Sequence, residues 1–104
     1  MRFLVEVKLP VETGNSAILD GTLRNKIQSA VQNLKPEAVY FTMRYGQRTM
    51  YAVFDLKSED QMVSSFEPLW LDFNADINIF PAMTPADLEK AGPAFHKIVE
   101  SRKK

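Results

Sequence analysis

Residues 38–56 read AVYFTMRYGQRTMYAVFDL, and this stretch decides the fold. Two runs of alternating side chains, 38–45 and 48–56, flank the pair Gly46–Gln47, which suits a two-residue β-hairpin turn. In the register that this turn predicts, Met43 faces Met50. One face then carries Val39, Phe41, Met43, Met50, Ala52 and Phe54, and the other carries Tyr40, Thr42, Arg44, Thr49, Tyr51, Val53 and Asp55. Because the choice of turn does not impose this separation into an apolar and a mixed face, the separation supports the hairpin.

A strand and a helix are predicted before the hairpin. Residues 2–9 alternate between apolar and polar side chains, which is typical of a strand with one buried face, and Pro10 ends it. Asn15 or Ser16 can cap a helix whose apolar side chains recur at helical spacing until Pro36 stops it.

A second helix and a last strand are predicted after the hairpin. Ser58 and Gln61 have the spacing of a capping box, and Pro68 is expected to close the short helix that follows. Residues 71–80 then form the last strand.

The C-terminal segment predicts an additional helix. Thr84 caps it, Pro85 occupies its first position, and Asp87 favours its first turn. Gly92–Pro93 is expected to break or kink it.

The order of elements indicates an α+β fold. Strand, helix, strand, strand, helix, strand is the ferredoxin-like βαββαβ order, with a four-stranded antiparallel sheet. We expect one domain over residues 1–104, with a C-terminal helical extension over 84–104 and a radius of gyration of about 13 Å.

The composition excludes several classes of function. Thirteen basic and thirteen acidic side chains cancel, so no strongly basic surface for nucleic acid is expected. The absence of cysteine excludes thiolate chemistry, and a single histidine makes a transition-metal site improbable. No apolar run has the length of a membrane span. We therefore expect a cytoplasmic protein without cofactor or metal.

The sheet face away from the helices is expected to be half apolar. It gathers Leu4, Glu6, Lys8, Tyr40, Thr42, Arg44, Tyr51, Val53, Asp55, Asp76, Asn78 and Phe80. Such a face is too apolar to remain fully exposed to water and too charged to be a dry core. A second copy packed sheet against sheet resolves this conflict, so we expect a homodimer.

Two segments resemble a known family. Residues 1–10, and Tyr51 to Leu56 followed by Ser58 and an acidic helix start, look like the corresponding parts of muconolactone isomerases of the dimeric α/β-barrel superfamily. The chain is also similar to small uncharacterised bacterial proteins of this type. The resemblance implies a sheet-to-sheet dimer, with a pocket at the interface or between sheet and helices. Activities in that superfamily include lactone isomerisation, cofactor-free oxygenation of aromatic compounds and haem breakdown.

Three carboxylates on the mixed face, Glu6, Asp55 and Asp76, are the candidate catalytic acid–base groups. Aromatic side chains around a carboxylate raise its pKa, which would let it move a proton at a carbon next to a carbonyl. The alternative is that Glu6 and Asp55 pair with Lys8 and Arg44 without any catalytic role.

The remaining candidates are substrate-binding groups. Arg44 could hold a substrate carboxylate, and Tyr40 or Tyr51 could polarise a carbonyl. Arg48 could hold a carboxylate from the hairpin tip, although an arginine there is more often a rim charge. His96 is either a general base or an exposed residue without function.

Three functions stay open at the level of the sequence. The first is binding or isomerising a small lactone-like or aromatic carboxylate by cofactor-independent proton transfer. The second is a non-catalytic dimerisation or regulatory module. The third is a cofactor-free monooxygenase.

Overall fold

A computed structural model describes residues 1–103 and shows an α+β fold. Lys104, the last residue of the predicted extension, lies outside the described residues. The elements are β1 Arg2–Lys8, α1 Val11–Leu19, α2 Leu23–Leu34, β2 Ala38–Arg44, β3 Gln47–Asp55, α3 Gln61–Phe73, β4 Asp76–Ala82, α4 Pro85–Lys90 and α5 Gly92–Arg102.

The four strands form one antiparallel sheet in the order β2-β3-β1-β4. The predicted four-stranded antiparallel sheet is therefore confirmed. β2 and β4 are its edge strands, and β4 contains Pro81, which has no backbone N–H to offer to another strand.

The hairpin turn lies one residue earlier than predicted. Tyr45 and Gly46 have φ of 51° and 75°, and a type I′ turn requires positive φ at both central residues. Met43 consequently faces Arg48, so the predicted pairing of Met43 with Met50 is wrong. The register changes by two residues. Because side chains alternate with period two, the division into two faces is confirmed.

The core lies between the sheet and the helices. Val5 and Val7 of β1 are fully buried, and the Phe54 ring of β3 meets the Phe66 ring of α3 edge to face at 5.7 Å. Helix α2 covers its part of the sheet less completely, because none of its side chains is fully buried. The core is therefore tight beneath α3 and looser beneath α2.

The single helix predicted between β1 and β2 is instead two helices. α1 begins at Val11, earlier than the predicted Asn15 or Ser16, and ends at Leu19. Gly21 then adopts φ of 76°, a left-handed conformation that cannot continue an α-helix. α2 resumes at Leu23 and ends before Pro36, as predicted.

The predictions for the second helix are partly wrong. No capping box forms with Ser58, because the Gln61 Oε1 accepts from the Lys57 N–H at 2.6 Å, and α3 starts only at Gln61. α3 also continues through Pro68 to Phe73. The last strand is consequently displaced from 71–80 to Asp76–Ala82.

The C-terminal helix begins as predicted and then extends away from the sheet. The Asp87 N–H donates to the Thr84 Oγ1 at 3.1 Å, and the Thr84 N–H donates to the Asp87 Oδ2 at 2.8 Å. The predicted break is confirmed, since α4 ends at Lys90 and α5 begins at Gly92. The molecule measures 66 × 28 × 19 Å, and its Cα radius of gyration of 18.0 Å exceeds the expected value of about 13 Å.

Candidate functional site

Strand register arranges the uncovered sheet face, here called the open face, in three rows that cross all four strands. The first row is apolar and contains Ala38, Val53, Leu4 and Phe80. The middle row contains Tyr40, Tyr51, Glu6 and Asn78, and the third contains Thr42, Thr49, Lys8 and Asp76. The open face therefore changes from apolar to charged along the strand direction.

Glu6 lies at the centre of the open face and is only 3% exposed. Its neighbours in the row are its hydrogen-bond donors: the Tyr51 hydroxyl donates to Oε2 at 2.6 Å, and the Asn78 Nδ2 donates to Oε1 at 3.0 Å. The Arg44 Nη1 also donates to Oε2, and the Lys8 Nζ lies 3.9 Å from Oε1. The carboxylate is thus held by four side chains from all four strands.

These partners lower the pKa of Glu6 below its usual value. The hydrogen bond from Tyr51 is the largest cause, and Asn78 and the positive charge of Arg44 add to it, whereas burial acts in the opposite direction. The expected rise in the pKa of Glu6 is therefore wrong. A carboxylate stabilised in its ionised form is a weak base, so this geometry favours an anchoring role for Glu6.

The other two candidate carboxylates make no hydrogen bond within the network around Glu6, although Asp76 shares the Lys8 ammonium with it. Asp55 accepts from the N-terminal amine of Met1 at 3.1 Å, and this bond is the main reason why its pKa is lowered. Asp76 is exposed and lies 3.5 Å from the Lys8 Nζ. The structure brings Glu6, Arg44 and Tyr51 together but does not gather the three carboxylates into one site.

Tyr40 and His96 have no protein groups converging on them within residues 1–103. Tyr40 faces Tyr51 across the hairpin but is 73% exposed. His96 lies on α5 and is also exposed.

A pocket of about 270 Å³ lies on the other side of the sheet, beneath α2 and α3. We call it the helix-side pocket. It is lined by Val7, Leu9, Ile27, Ala30, Phe41, Thr42, Met43, Arg48, Thr49, Met50, Leu69 and Phe73. Nine of these twelve residues are apolar, and Arg48 is the one charged residue among them.

Arg48 lies in the wall of the helix-side pocket, and much of its hydrogen-bonding capacity is unused. Its Nη2 donates to the Asn15 Oδ1 at 3.1 Å, and none of the ion pairs formed within residues 1–103 includes it. Gly14 of α1 leaves room for the side chain, because a Cβ there would overlap Arg48 Nη1 and lie 3.2 Å from its Cδ. The sequence analysis favoured a rim charge for Arg48. Its spacing of two residues from Met50 in β3 nevertheless places the two side chains on the same face.

The described part of the chain lacks two further features. No helix within residues 1–103 is both long and apolar enough to cross a lipid bilayer. No cluster of three or more His, Cys, Asp or Glu side chains in the same range is arranged to hold a metal ion.

No model of a known protein family matches the chain, and no curated protein matches it significantly.

Proposed function

We propose that this chain is a ferredoxin-like protein that binds a small apolar carboxylate in the helix-side pocket. The observation that carries the proposal is Arg48, a guanidinium without a carboxylate partner among residues 1–103 and in the wall of an apolar pocket. Small-molecule sites combine an apolar lining with a few placed polar groups, and arginine matches the planar geometry of a carboxylate. The apolar part of the ligand would occupy the pocket and its carboxylate would pair with Arg48.

The pocket volume limits the size of the ligand. A cavity of about 150 Å³ holds benzene, and pockets for drug-sized molecules begin at about 300 Å³. A volume of about 270 Å³ therefore fits a bicyclic aromatic acid or a medium-chain fatty acid.

The pocket wall supports binding better than catalysis. Arg48 is the polar side chain on this side of the sheet, since Thr42 and Thr49 belong to the third row of the open face, and no carboxylate or imidazole is among the lining residues described. Proton transfer by an isomerase needs a base within hydrogen-bond reach of the substrate. Glu6, the best-placed carboxylate, lies on the opposite face of the sheet.

Calorimetric titration with 2-naphthoate tests the proposal, with 2-naphthamide as the uncharged comparison. We expect the wild-type chain to bind 2-naphthoate, and Arg48→Met to weaken it at least tenfold while leaving 2-naphthamide unchanged, since charge-assisted hydrogen bonds contribute about 1.5–3 kcal/mol. Arg44→Met is the matched control on the open face and should bind both ligands like the wild type. Wild type that binds no 2-naphthoate at millimolar concentration, or equal affinity in Arg48→Met, would overturn the proposal.

A second candidate function, homodimerisation through the open face, is favoured by its exposed aromatic side chains. Tyr40 is 73% and Phe80 51% exposed, whereas the charged centre of the face is already satisfied within the chain. Two such faces can meet without leaving a buried charge unpaired, as in a dimeric α/β barrel.

Sedimentation equilibrium tests this pairing. We expect wild type to be dimeric at micromolar concentration, and Phe80→Glu to raise the dimer Kd at least tenfold. Leu71→Glu, at an exposed position of α3, is the matched control and should leave the Kd unchanged. A wild type that stays monomeric at concentrations on the order of 100 µM would contradict the pairing.

A further inference from the structure

Helix α5 carries an apolar stripe that no other part of the described chain covers. Phe95, Ile98 and Val99 follow the three- and four-residue spacing that places them on one helix face, and each is more than half exposed. No side chain of α5 is buried. We call residues 84–102, which comprise α4 and α5, the C-terminal arm.

An uncovered helix of this length is not expected to be stable by itself. α5 has 11 residues, and isolated helices shorter than about 12–15 residues are marginal in water. The ion pair formed by its last turn, from Lys103 to Glu100, is local and exposed. The helix therefore needs a surface that covers its stripe.

The body of the same chain does not supply this surface within residues 1–103. The arm leaves the sheet where Ala82 of β4 pairs with Arg2, and the molecule extends to 66 Å along its longest axis. Exposed apolar side chains continue from Phe80 on the open face through Met83 to Leu88 on the arm. The arm is thus an extension of the apolar end of the open face.

The size of the open face indicates what covers the arm. Four strands of seven to nine residues give the face a flat footprint of roughly 450 Å², which is smaller than the ~800 Å² of accessible surface that each partner buries in a stable interface. A helix of this length adds about 160 Å², and in a two-fold pair each chain both offers an arm and receives one. Exchange of arms would bring the buried area close to the standard value.

We infer that the stripe of α5 packs on a second copy of this chain, and that two chains clasp each other reciprocally through their C-terminal arms. The inference rests on the pairing of open faces proposed above. It adds a second contact region, which brings the buried area close to that of a stable interface.

Sedimentation equilibrium of the 104-residue chain carrying Ile98→Asp tests the clasp. We expect the dimer Kd to rise at least tenfold. Lys97→Ala, on the opposite side of α5, makes the same change in net charge and should leave the Kd unchanged. Urea unfolding of both variants should match wild-type unfolding at a concentration where all are monomeric, which excludes damage to the body.

The outcomes separate this inference from the pairing on which it rests. A monomeric wild type overturns both. A wild-type dimer that is weakened by Phe80→Glu but unchanged by Ile98→Asp overturns the clasp and leaves the pairing of the sheets intact. Equal weakening by Ile98→Asp and Lys97→Ala also overturns the clasp, because the effect would then be one of net charge.

Discussion

Glu6 is buried although no helix within the described residues covers its side of the sheet. Arg44 and Tyr51 reach over the Glu6 carboxylate from β2 and β3, and Asn78 donates a hydrogen bond to it from β4. Because the donors come from three strands, the carboxylate links all four strands in one register. A slip of any neighbouring strand would leave a buried charge without donors, which is a strong penalty against alternative pairings.

The pH dependence of stability should reflect this carboxylate. Its pKa is lowered in the folded state from a usual value of 4.5, so its contribution is complete above that value and is lost as the pH falls through the lower, folded pKa. We expect Glu6→Gln to reduce the free energy of unfolding by about 1–3 kcal/mol at neutral pH and by progressively less as the pH is lowered below 4.5. Urea unfolding over a series of pH values from neutral to acid measures this, with Glu89→Gln on α4 as the exposed control. A loss that stays constant over the whole series would contradict the assigned role.

Gly46 is the residue at which the hairpin most depends on backbone conformation. Its φ of 75° is unfavourable for a residue with a Cβ, although no atom within 4 Å would obstruct one. We expect Gly46→Ala to destabilise the chain by about 1–2 kcal/mol. Gly92→Ala, where φ is not positive and the surroundings are equally open, makes the same chemical change and should be neutral or slightly stabilising. Thermal unfolding compares the two variants, and an equal effect would show that strain at position 46 is not the cause.

At the scale of elements, the strands were predicted well because their alternation is a local property. Residues 2–9 were expected and Arg2–Lys8 form β1, and the two faces of the hairpin are as predicted. The predicted register was wrong because it placed the turn at Gly46–Gln47, a pair whose composition is more typical of a hairpin turn. In the structure the turn is Tyr45–Gly46, and Tyr45 adopts a positive φ. The ring of Tyr45 lies 5.1 Å from the Arg44 guanidinium, a contact that the sequence alone does not reveal.

The helices were predicted less well because tertiary packing overrides local signals. Pro68 has a strong tendency to end a helix, yet α3 continues beyond it to bury Leu69 and Phe73 in the core. Gly21 lies inside the region predicted as one helix and is the junction between two helices. Packing gained further along α3 decides the first case, and the left-handed backbone of Gly21 decides the second.

Pro68 is therefore a site where stability can be gained. Alanine at this position restores a backbone N–H inside α3 and removes the clash of the proline ring with the preceding turn. We expect Pro68→Ala to raise the free energy of unfolding by about 1–3 kcal/mol, since proline costs about 3 kcal/mol in a helix interior. Urea unfolding measures the change, and Pro85→Ala, at the first position of α4, is the control in which no such gain is expected. A less stable Pro68→Ala variant would indicate that a bend in α3 is needed for its packing.

The candidate site could be predicted only in part. The proximity of Glu6, Arg44 and Tyr51 follows from their shared face. The direction of the pKa shift does not, because it depends on Arg44 and Tyr51 folding back over Glu6. A pocket between sheet and helices was implied by the family resemblance as one of two locations, but its lining could not be predicted from the residues, because it depends on how loosely α2 covers β2 and β3.

At the scale of the whole molecule, the arm determines the shape. A chain of 104 residues that folds into one globule has a radius of gyration of about 13 Å, against 18.0 Å here. We expect small-angle X-ray scattering of the Ile98→Asp variant, at dilutions where it is monomeric, to give a value well above about 13 Å. A value near that of a globule would mean that the arm folds back on its own body.

The two edges of the sheet are unequal. Pro81 removes a backbone donor from β4, whereas β2 presents an uninterrupted edge that includes Phe41 and Met43. Strand-to-strand growth into a fibril requires that every added molecule offer two receptive edges. Because the β4 edge does not receive another strand, accidental pairing of β2 with β2 joins two molecules and cannot continue into a fibril. The single proline in the last strand thus limits the risk of polymerisation for a chain whose opposite edge is unprotected.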